Sequence, residues 1–195
     1  MIHRAFIATI LSLPAAVAVE ATGLHQFCET LPHVITQKTG WEAGCDSRYY
    51  TWKSDDGIEG ATVSATTDDK TEGTISHRFT LNAGWKRWVL EMNPDTRRSA
   101  DISAYKTMTF SLKSSDAKNW DSFFVILGDA KNQYRADLSS LGFAPDGAWH
   151  KCTIDLSTVA KSGVDLVHIT QPLMIEWGGG VSEGDQFLLD DVRLQ

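Results

Sequence analysis

The chain has 195 residues, of which 42% are apolar, and its formal net charge is −7. An acidic protein binds nucleic acid and anionic membrane surfaces poorly, because both carry negative charge. The length suits one domain, and the sequence contains no internal repeat, low-complexity tract or linker. We therefore expect a single domain with no nucleic-acid partner.

The N-terminal residues have the order of a secretory signal peptide. Arg4 supplies a positive charge, residues 5–13 form an apolar run, and Ala16-Val17-Ala18 supplies the small residues of a cleavage site. Residues 1–18 are therefore predicted to be a signal peptide and residues 19–195 the mature, secreted domain. The apolar run is too short to span a bilayer, and no later segment is long enough. An N-terminal membrane anchor is the alternative.

The three cysteines are expected to have two different roles. Export permits disulfides, and Cys28 and Cys45 flank a polar, glycine-containing segment, so we predict that they pair. Closing a loop of this size stabilises a fold by about 3 kcal/mol in the chain-entropy description. Cys152 alternates with His150 and Ile154, which indicates a buried core residue. A catalytic thiol activated by His150 is the alternative.

The apolar residues mostly recur with a period of two, which is typical of strands with one buried face. Alternating segments begin at Ala61, Ile75, Trp88, Met108, His150, Leu173 and Leu188, and residues 123–127 form a continuous apolar run. Turn-forming residues separate these segments. Many short strands divided by turns predict an all-β, two-sheet antiparallel β-sandwich, a jelly roll. One short helix is expected near residues 156–162.

Aromatic side chains accompanied by polar ones are the candidates for ligand binding. Sugar rings have an apolar C–H face and a rim of hydroxyls, so a flat aromatic ring can cover the face while charged or amide groups bond the rim. The alternative is that a given tryptophan belongs to the core of the sandwich. The predicted carbohydrate-binding residues are Tyr49, Tyr50, Trp52, Trp85, Trp88, Trp120, Tyr134, Arg135, Glu176 and Trp177.

Asp190 is a candidate metal ligand in the last predicted strand. Alternation places it on the side of Val192 and Leu194, toward the core, where an unpaired carboxylate is costly. Ca²⁺ takes carboxylate and carbonyl oxygens, so a structural calcium held by Asp190 with Glu29 is predicted. The alternative is a carboxylate bonded to backbone N–H groups or to an arginine.

No hydrolytic motif accompanies these residues. Glycosidases need paired carboxylates, yet Glu91 and Glu176 are each the single acid of their predicted strands. Neighbouring acids such as Asp55 and Asp56 point to opposite sides of an extended chain. The sequence favours a non-catalytic protein. A small secreted hydrolase or lyase is the runner-up, with Glu91 and Glu176 as its candidate residues, and a cell-surface interaction protein is the third hypothesis.

Five segments together resemble galactose-binding-like β-sandwiches. They are 50–57 (YTWKSDDG), 101–110 (DISAYKTMTF), 147–157 (GAWHKCTIDLS), 164–171 (VDLVHITQ) and 187–194 (FLLDDVRL). This superfamily includes carbohydrate-binding modules, notably the family 11 β-glucan binders and their relatives. The likeness covers about residues 50–195, whereas the region before Arg48 does not match. A complex I assembly-factor type of domain shares this fold, and the predicted export argues against it.

The resemblance implies a jelly roll with a ligand groove on one sheet and a structural calcium, for which Asp190 is the residue that carries over. It also implies binding of a β-glucan or similar neutral polysaccharide by ring stacking and hydroxyl hydrogen bonds. Such domains ordinarily accompany a catalytic domain. A separate secreted carbohydrate-active enzyme is therefore an expected partner.

Overall fold

The computed structural model describes residues 47–52, 60–73, 76–92, 99–117 and 120–195. These residues form ten strands, one α-helix and one 3-10 helix. The strands are β1 (Ser47–Trp52), β2 (Ala61–Thr66), β3 (Ser76–Leu81), β4 (Lys86–Met92), β5 (Thr107–Ser114), β6 (Phe123–Gly128), β7 (Gln133–Asp137), β8 (His150–Asp155), β9 (Gln171–Trp177) and β10 (Gln186–Leu194). The 3-10 helix is Leu138–Leu141, and helix α1 is Leu156–Lys161.

The strands form two antiparallel sheets of five strands each. The first sheet has the order β1-β4-β9-β6-β7, and the second has the order β2-β3-β10-β5-β8. Most sheet neighbours are distant in sequence, so the chain crosses repeatedly between the two layers. This arrangement confirms the predicted two-sheet β-sandwich.

The core lies between the sheets and is built by alternating side chains. In β8, Cys152 and Ile154 are buried while Lys151 and Thr153 are exposed, as a half-buried strand requires. Aromatic rings fill the centre of the core. Phe79 and Phe187 stack with ring centroids 4.3 Å apart, and Trp88 meets Phe79 edge-on at 5.2 Å. Offset and edge-on contacts of this kind add stability beyond simple burial.

A β-bulge in β10 changes which face its residues occupy. The pairing with β5 shifts between Asp190 and Arg193, and Asp191 has a positive φ of 50°. Phe187 and Leu189 belong to the core before the bulge, and Val192 and Leu194 belong to it afterwards. The extra residue reverses the alternation. The expectation that Asp190 shares the side of Val192 and Leu194 is therefore wrong, and Asp190 follows Leu188 on the outer side of the second sheet.

The short helix lies where the sequence predicts it. Asp155 caps its first turn by accepting a hydrogen bond from the Ser157 backbone N–H, and Leu156 and Val159 are buried. Two strands carry no clear sequence pattern. These are β1 and β7, and β1 includes the predicted binding residues Tyr49, Tyr50 and Trp52.

Several expectations fall outside the described residues. They are the signal peptide at 1–18, the Cys28–Cys45 disulfide and the ligand Glu29. Within the described ranges, no helix has the length and apolar character needed to cross a membrane.

Candidate functional site

The outer face of the first sheet carries the candidate site. Arg87 in β4, Glu176 in β9 and Phe124 in β6 are successive Cα partners across three adjacent strands. Their immediate neighbours along the chain, such as Trp88 after Arg87 and Ile175 before Glu176, belong to the core. Because side chains alternate along a strand, Arg87, Glu176 and Phe124 share the outer face.

Glu176 lies between two arginines. Its Oε1 accepts hydrogen bonds from Nε and Nη2 of Arg135 at 3.2 and 2.8 Å, and its Oε2 lies 3.2 Å from Nη2 of Arg87. The Glu176 side chain is 11% exposed, whereas the Arg87 and Arg135 side chains are 38% and 44% exposed. The carboxylate is thus held below the surface while both guanidinium groups reach solvent.

Arg135 also covers an aromatic ring. Its Cζ lies 3.4 Å from the centroid of the Phe124 ring, which is cation–π contact distance. The guanidinium plane is therefore fixed by a ring on one side and by a carboxylate at its edge. A donor held in this way loses little freedom when it bonds a ligand.

An apolar cluster lies beside the charged groups on the same face. Val89, Met174 and Ile126 are Cα partners across β4, β9 and β6, and they form a buried group separate from the main core. Each is 1–3% exposed. Arg87 contributes to the cluster, because its Nη1 donates to Met174 Sδ at 3.9 Å. The outer face of the first sheet thus carries a buried apolar cluster with charged groups beside it.

Among the side chains that the structure describes in this region, Trp85 is the exposed aromatic one. It immediately precedes β4, it is 58% exposed, and its ring lies 13° from parallel to Phe124 with centroids 6.3 Å apart. At the opposite end of the face, Gln133 Nε2 donates to Gln171 Oε1 at 3.0 Å. An exposed ring, two guanidinium groups and amide side chains therefore share one sheet surface.

Three of the predicted ring residues belong to β1. Its register places Tyr50 opposite Val89 and Trp52 opposite Arg87, two positions of the outer face, while Tyr49 is opposite Leu90. The side chains of β1 lie outside the description. The binding role of Tyr49, Tyr50 and Trp52 therefore stays a prediction. The backbone pairing places Tyr50 and Trp52 beside the site.

The structure corrects other predicted ring positions. Trp88 and Trp177 are fully buried in the core, and the Trp177 Nε1–H donates to the Asn82 carbonyl at 3.2 Å. Tyr134 and Trp120 are half-buried and pack against the core. Trp88 and Trp177 thus have no ring face for a surface ligand. In β9, Trp177 shares its face with the core residues Leu173 and Ile175.

Sequence reasoning missed two supporting features of the site. They are the Phe124 ring, which Arg135 covers, and the apolar cluster of Val89, Met174 and Ile126, which Arg87 contacts through Met174. Phe124 and Ile126 lie inside the continuous apolar run 123–127, where no polar residue marks which side faces outward. The pairing of that strand with Glu176 and Arg135 supplies the missing information.

Cys152 is a buried core residue, as its alternation predicts. Burial raises the pKa of its thiol to about 12. A nucleophilic cysteine needs the opposite shift, toward thiolate at neutral pH. His150 instead bonds Asp146, with Nε2 2.7 Å from Oδ1. The geometry therefore gives no support to a catalytic thiol.

Asp190 is surrounded by hydrogen-bond donors. Its Oδ2 accepts from the Thr71 N–H at 2.6 Å, the Thr71 hydroxyl at 2.7 Å and the Glu72 N–H at 3.2 Å, and its Oδ1 accepts from the Asp191 N–H at 2.8 Å. Donors of this kind fit a carboxylate and not a cation. Within the described ranges no cluster of three or more His, Cys, Asp or Glu could hold a metal. The predicted pairing with Glu29 lies beyond those ranges and stays a prediction.

Solved structures with a similar fold include carbohydrate-binding modules and an enzyme. A family 30 carbohydrate-binding module aligns over 89% of this chain and 90% of its own, with 16% identity and a TM-score of 0.55. The family 11 module from Clostridium thermocellum, in complex with a β-1,3-1,4-mixed-linked tetrasaccharide, aligns over 79% and 91%, with 16% identity and a TM-score of 0.49. A β-1,2-glucanase from Parabacteroides distasonis aligns over 76% of this chain and 22% of its own, with 14% identity and a TM-score of 0.51.

Comparison by sequence finds no equivalent. No family model matches the chain, and no curated protein matches it. The likeness to the family 30 module is a likeness of fold. The chain therefore has the β-sandwich fold of carbohydrate-binding modules, as its sequence motifs indicate.

Proposed function

We propose that this chain binds a neutral polysaccharide of the β-glucan type on the outer face of its first sheet, without covalent chemistry. The observation that carries the proposal is the combination of the exposed Trp85 ring with the Arg87–Glu176–Arg135 network on that face. The ring can cover the C–H face of a sugar, and the guanidinium groups can bond its hydroxyls.

The choice of a neutral β-glucan rests on the shape of β-linked glucose and on the charge of the protein. A β-linked glucose unit carries its hydroxyls around the rim, which leaves flat C–H faces for a ring such as Trp85. Net charge −7 opposes the accumulation of polyanionic glycans around the protein. The family 30 module that shares the fold is a carbohydrate-binding protein by name, which is a reason to test sugars first.

Glu176 supports binding better than hydrolysis. Both of its oxygens contact guanidinium groups, so the carboxylate serves as the common anchor of Arg87 and Arg135. Glu91 belongs to β4, where its backbone position pairs with Arg48. We include in the proposal that the protein is secreted and acts beside a separate carbohydrate-active enzyme.

Isothermal titration calorimetry against mixed-linkage β-glucan, xyloglucan, xylan and mannan tests the proposal. We expect binding to a β-glucan that Arg135→Ala and Trp85→Ala each weaken. Lys151→Ala is the matched control, because Lys151 is an exposed cation of β8 in the other sheet. Absence of binding by the folded wild type to every glycan would overturn the proposal. New reducing ends or unsaturated products, lost in Glu91→Ala, would replace it with the enzyme hypothesis.

A further inference from the structure

We propose that Gly178 is a positioning residue that fixes the Trp85 indole as a one-sided stacking platform for sugar. Gly178 follows directly after β9, and Trp85 directly precedes β4, the neighbouring strand. In this proposal Trp85 contacts the sugar, and Gly178 affects binding only by positioning the Trp85 ring. The ligand part of this inference rests on the proposed function, whereas the geometric part stands by itself.

The space around Gly178 is occupied by the indole. A Cβ added to Gly178 would lie 2.7 Å from Cδ2, 2.7 Å from Cε2 and 2.9 Å from Cε3 of Trp85. Cδ2 and Cε2 are the two atoms shared by the fused rings, so neither can be reached from the ring edge. The backbone of Gly178 therefore lies against the flat face of the indole. Any side chain at this position displaces the ring.

The backbone of Gly178 is itself held in place. Its N–H donates to the Ser122 carbonyl at 2.9 Å, and its own carbonyl accepts from the Val181 N–H at 3.3 Å. Gly178 is buried and needs no left-handed conformation, since its φ is outside the positive range. The requirement for glycine at 178 thus comes from the indole and not from backbone strain.

The backbone of Gly178 consequently covers one face of the Trp85 ring, while Trp85 as a residue remains 58% exposed. A sugar can stack only on the side turned away from Gly178. The indole is ordered before the ligand arrives, which avoids the entropy cost of fixing a mobile ring. We therefore expect single-sided stacking at Trp85 rather than enclosure of a sugar between two rings.

Affinity measurements on three variants test the role of Gly178 in binding. We expect Gly178→Ala to weaken β-glucan binding about as much as Trp85→Ala does, by about fivefold or more, since one stacked ring contributes on this scale. Gly179→Ala is the matched control. A Cβ at Gly179 meets its nearest atom at 3.7 Å, an ordinary contact, so its affinity should equal that of the wild type.

NMR tests the geometry without any ligand. Protons over the face of an indole are shifted upfield. In the wild type, the Gly178 Hα that points along the Cβ direction toward Trp85 should therefore lie upfield of the usual glycine range, and it should return to that range in Trp85→Ala. This readout does not depend on whether Gly178→Ala folds. A normal Gly178 Hα shift in the wild type would overturn the inference.

The affinities separate the remaining outcomes. An upfield Gly178 Hα together with wild-type affinity in a folded Gly178→Ala would overturn the positioning role in binding. Wild-type affinity in Trp85→Ala would instead remove Trp85 from the site and so overturn the platform, even with the ring-current shift present. Parallel losses in Gly178→Ala and Trp85→Ala, with Gly179→Ala unaffected, would support it. If the wild type binds no glycan, the proposed function fails and with it the ligand part, while the ring-current result still decides the geometry.

Discussion

Arg135 reaches across an entire strand to bond Glu176. Arg135 belongs to β7 and Glu176 to β9, and β6 lies between them in the first sheet. The arginine side chain crosses over the Phe124 ring of β6 to make this contact, and Arg87 of β4 meets the same carboxylate from the other side. The network therefore ties four adjacent strands together on the face that we propose for sugar binding.

Glu176→Gln should weaken both stability and ligand binding. Glutamine keeps the shape of the side chain but removes the charge that holds Arg87 and Arg135 in place. Because the arginines are partly exposed, we expect a loss of about 1–2 kcal/mol in the free energy of unfolding. Urea unfolding measures this loss, and calorimetry measures the accompanying fall in affinity.

Glu183→Gln provides the control for this charge removal. Glu183 is an exposed carboxylate in the connection between β9 and β10. Its substitution should change the unfolding free energy by no more than about 0.5 kcal/mol. Equal effects of Glu176→Gln and Glu183→Gln would mean that the network contributes nothing measurable.

The tryptophans should separate into two classes when each is replaced by alanine. Trp88 and Trp177 are fully buried, so either substitution should cost about 3–5 kcal/mol of stability. Trp85 is largely exposed, so its replacement should cost less than about 1 kcal/mol and act mainly on binding. Urea unfolding of the single variants checks this. A strongly destabilised Trp85→Ala would contradict the surface role assigned to it.

Much of the fold was predictable because strand periodicity is a local signal. The alternation of Cys152 and Ile154 in β8, and of Ala61 and Val63 in β2, matches the buried positions. The bulge in β10 was not predictable, because one inserted residue reverses the alternation without changing the composition. The face of Asp190 was consequently misassigned.

The candidate site was predictable only in part. Arg135 and Glu176 are marked by their charge beside aromatic residues, yet their contact joins two strands separated by a third. Whether a ring faces the core or the surface depends on such pairings. The spacing of Trp88 and Trp177 along the chain therefore could not by itself separate them from Trp85.

Asp190→Asn should destabilise the fold by about 2–3 kcal/mol, because an amide group cannot accept all the hydrogen bonds that the carboxylate receives from Thr71, Glu72 and Asp191. We expect the full loss in urea unfolding carried out with EDTA, since these donors are protein groups. A stability of Asp190→Asn equal to that of the wild type in EDTA would contradict the hydrogen-bonded role. An increase in wild-type stability with Ca²⁺, absent from Asp190→Asn, would support the predicted calcium site.

His77 should make stability depend on pH. It is fully buried, and desolvation lowers its pKa from 6.5 to about 4, partly opposed by the charge of Asp190. Between these two values the unfolded chain binds a proton that the folded chain does not. Stability is therefore highest above pH 6.5 and falls as the pH decreases toward 4, by up to about 3 kcal/mol from this group.

His77→Leu isolates this contribution from that of the carboxylates, which titrate in both proteins. Because leucine binds no proton, the unfolding free energy of the variant should fall less steeply between pH 6.5 and 4.5. The expected difference in slope is at most about 1.4 kcal/mol per pH unit, the value for one proton. Urea unfolding at several pH values gives both slopes, and His77→Gln serves if leucine prevents folding. Identical slopes in wild type and variant would show that His77 takes up its proton equally in the folded and unfolded chains.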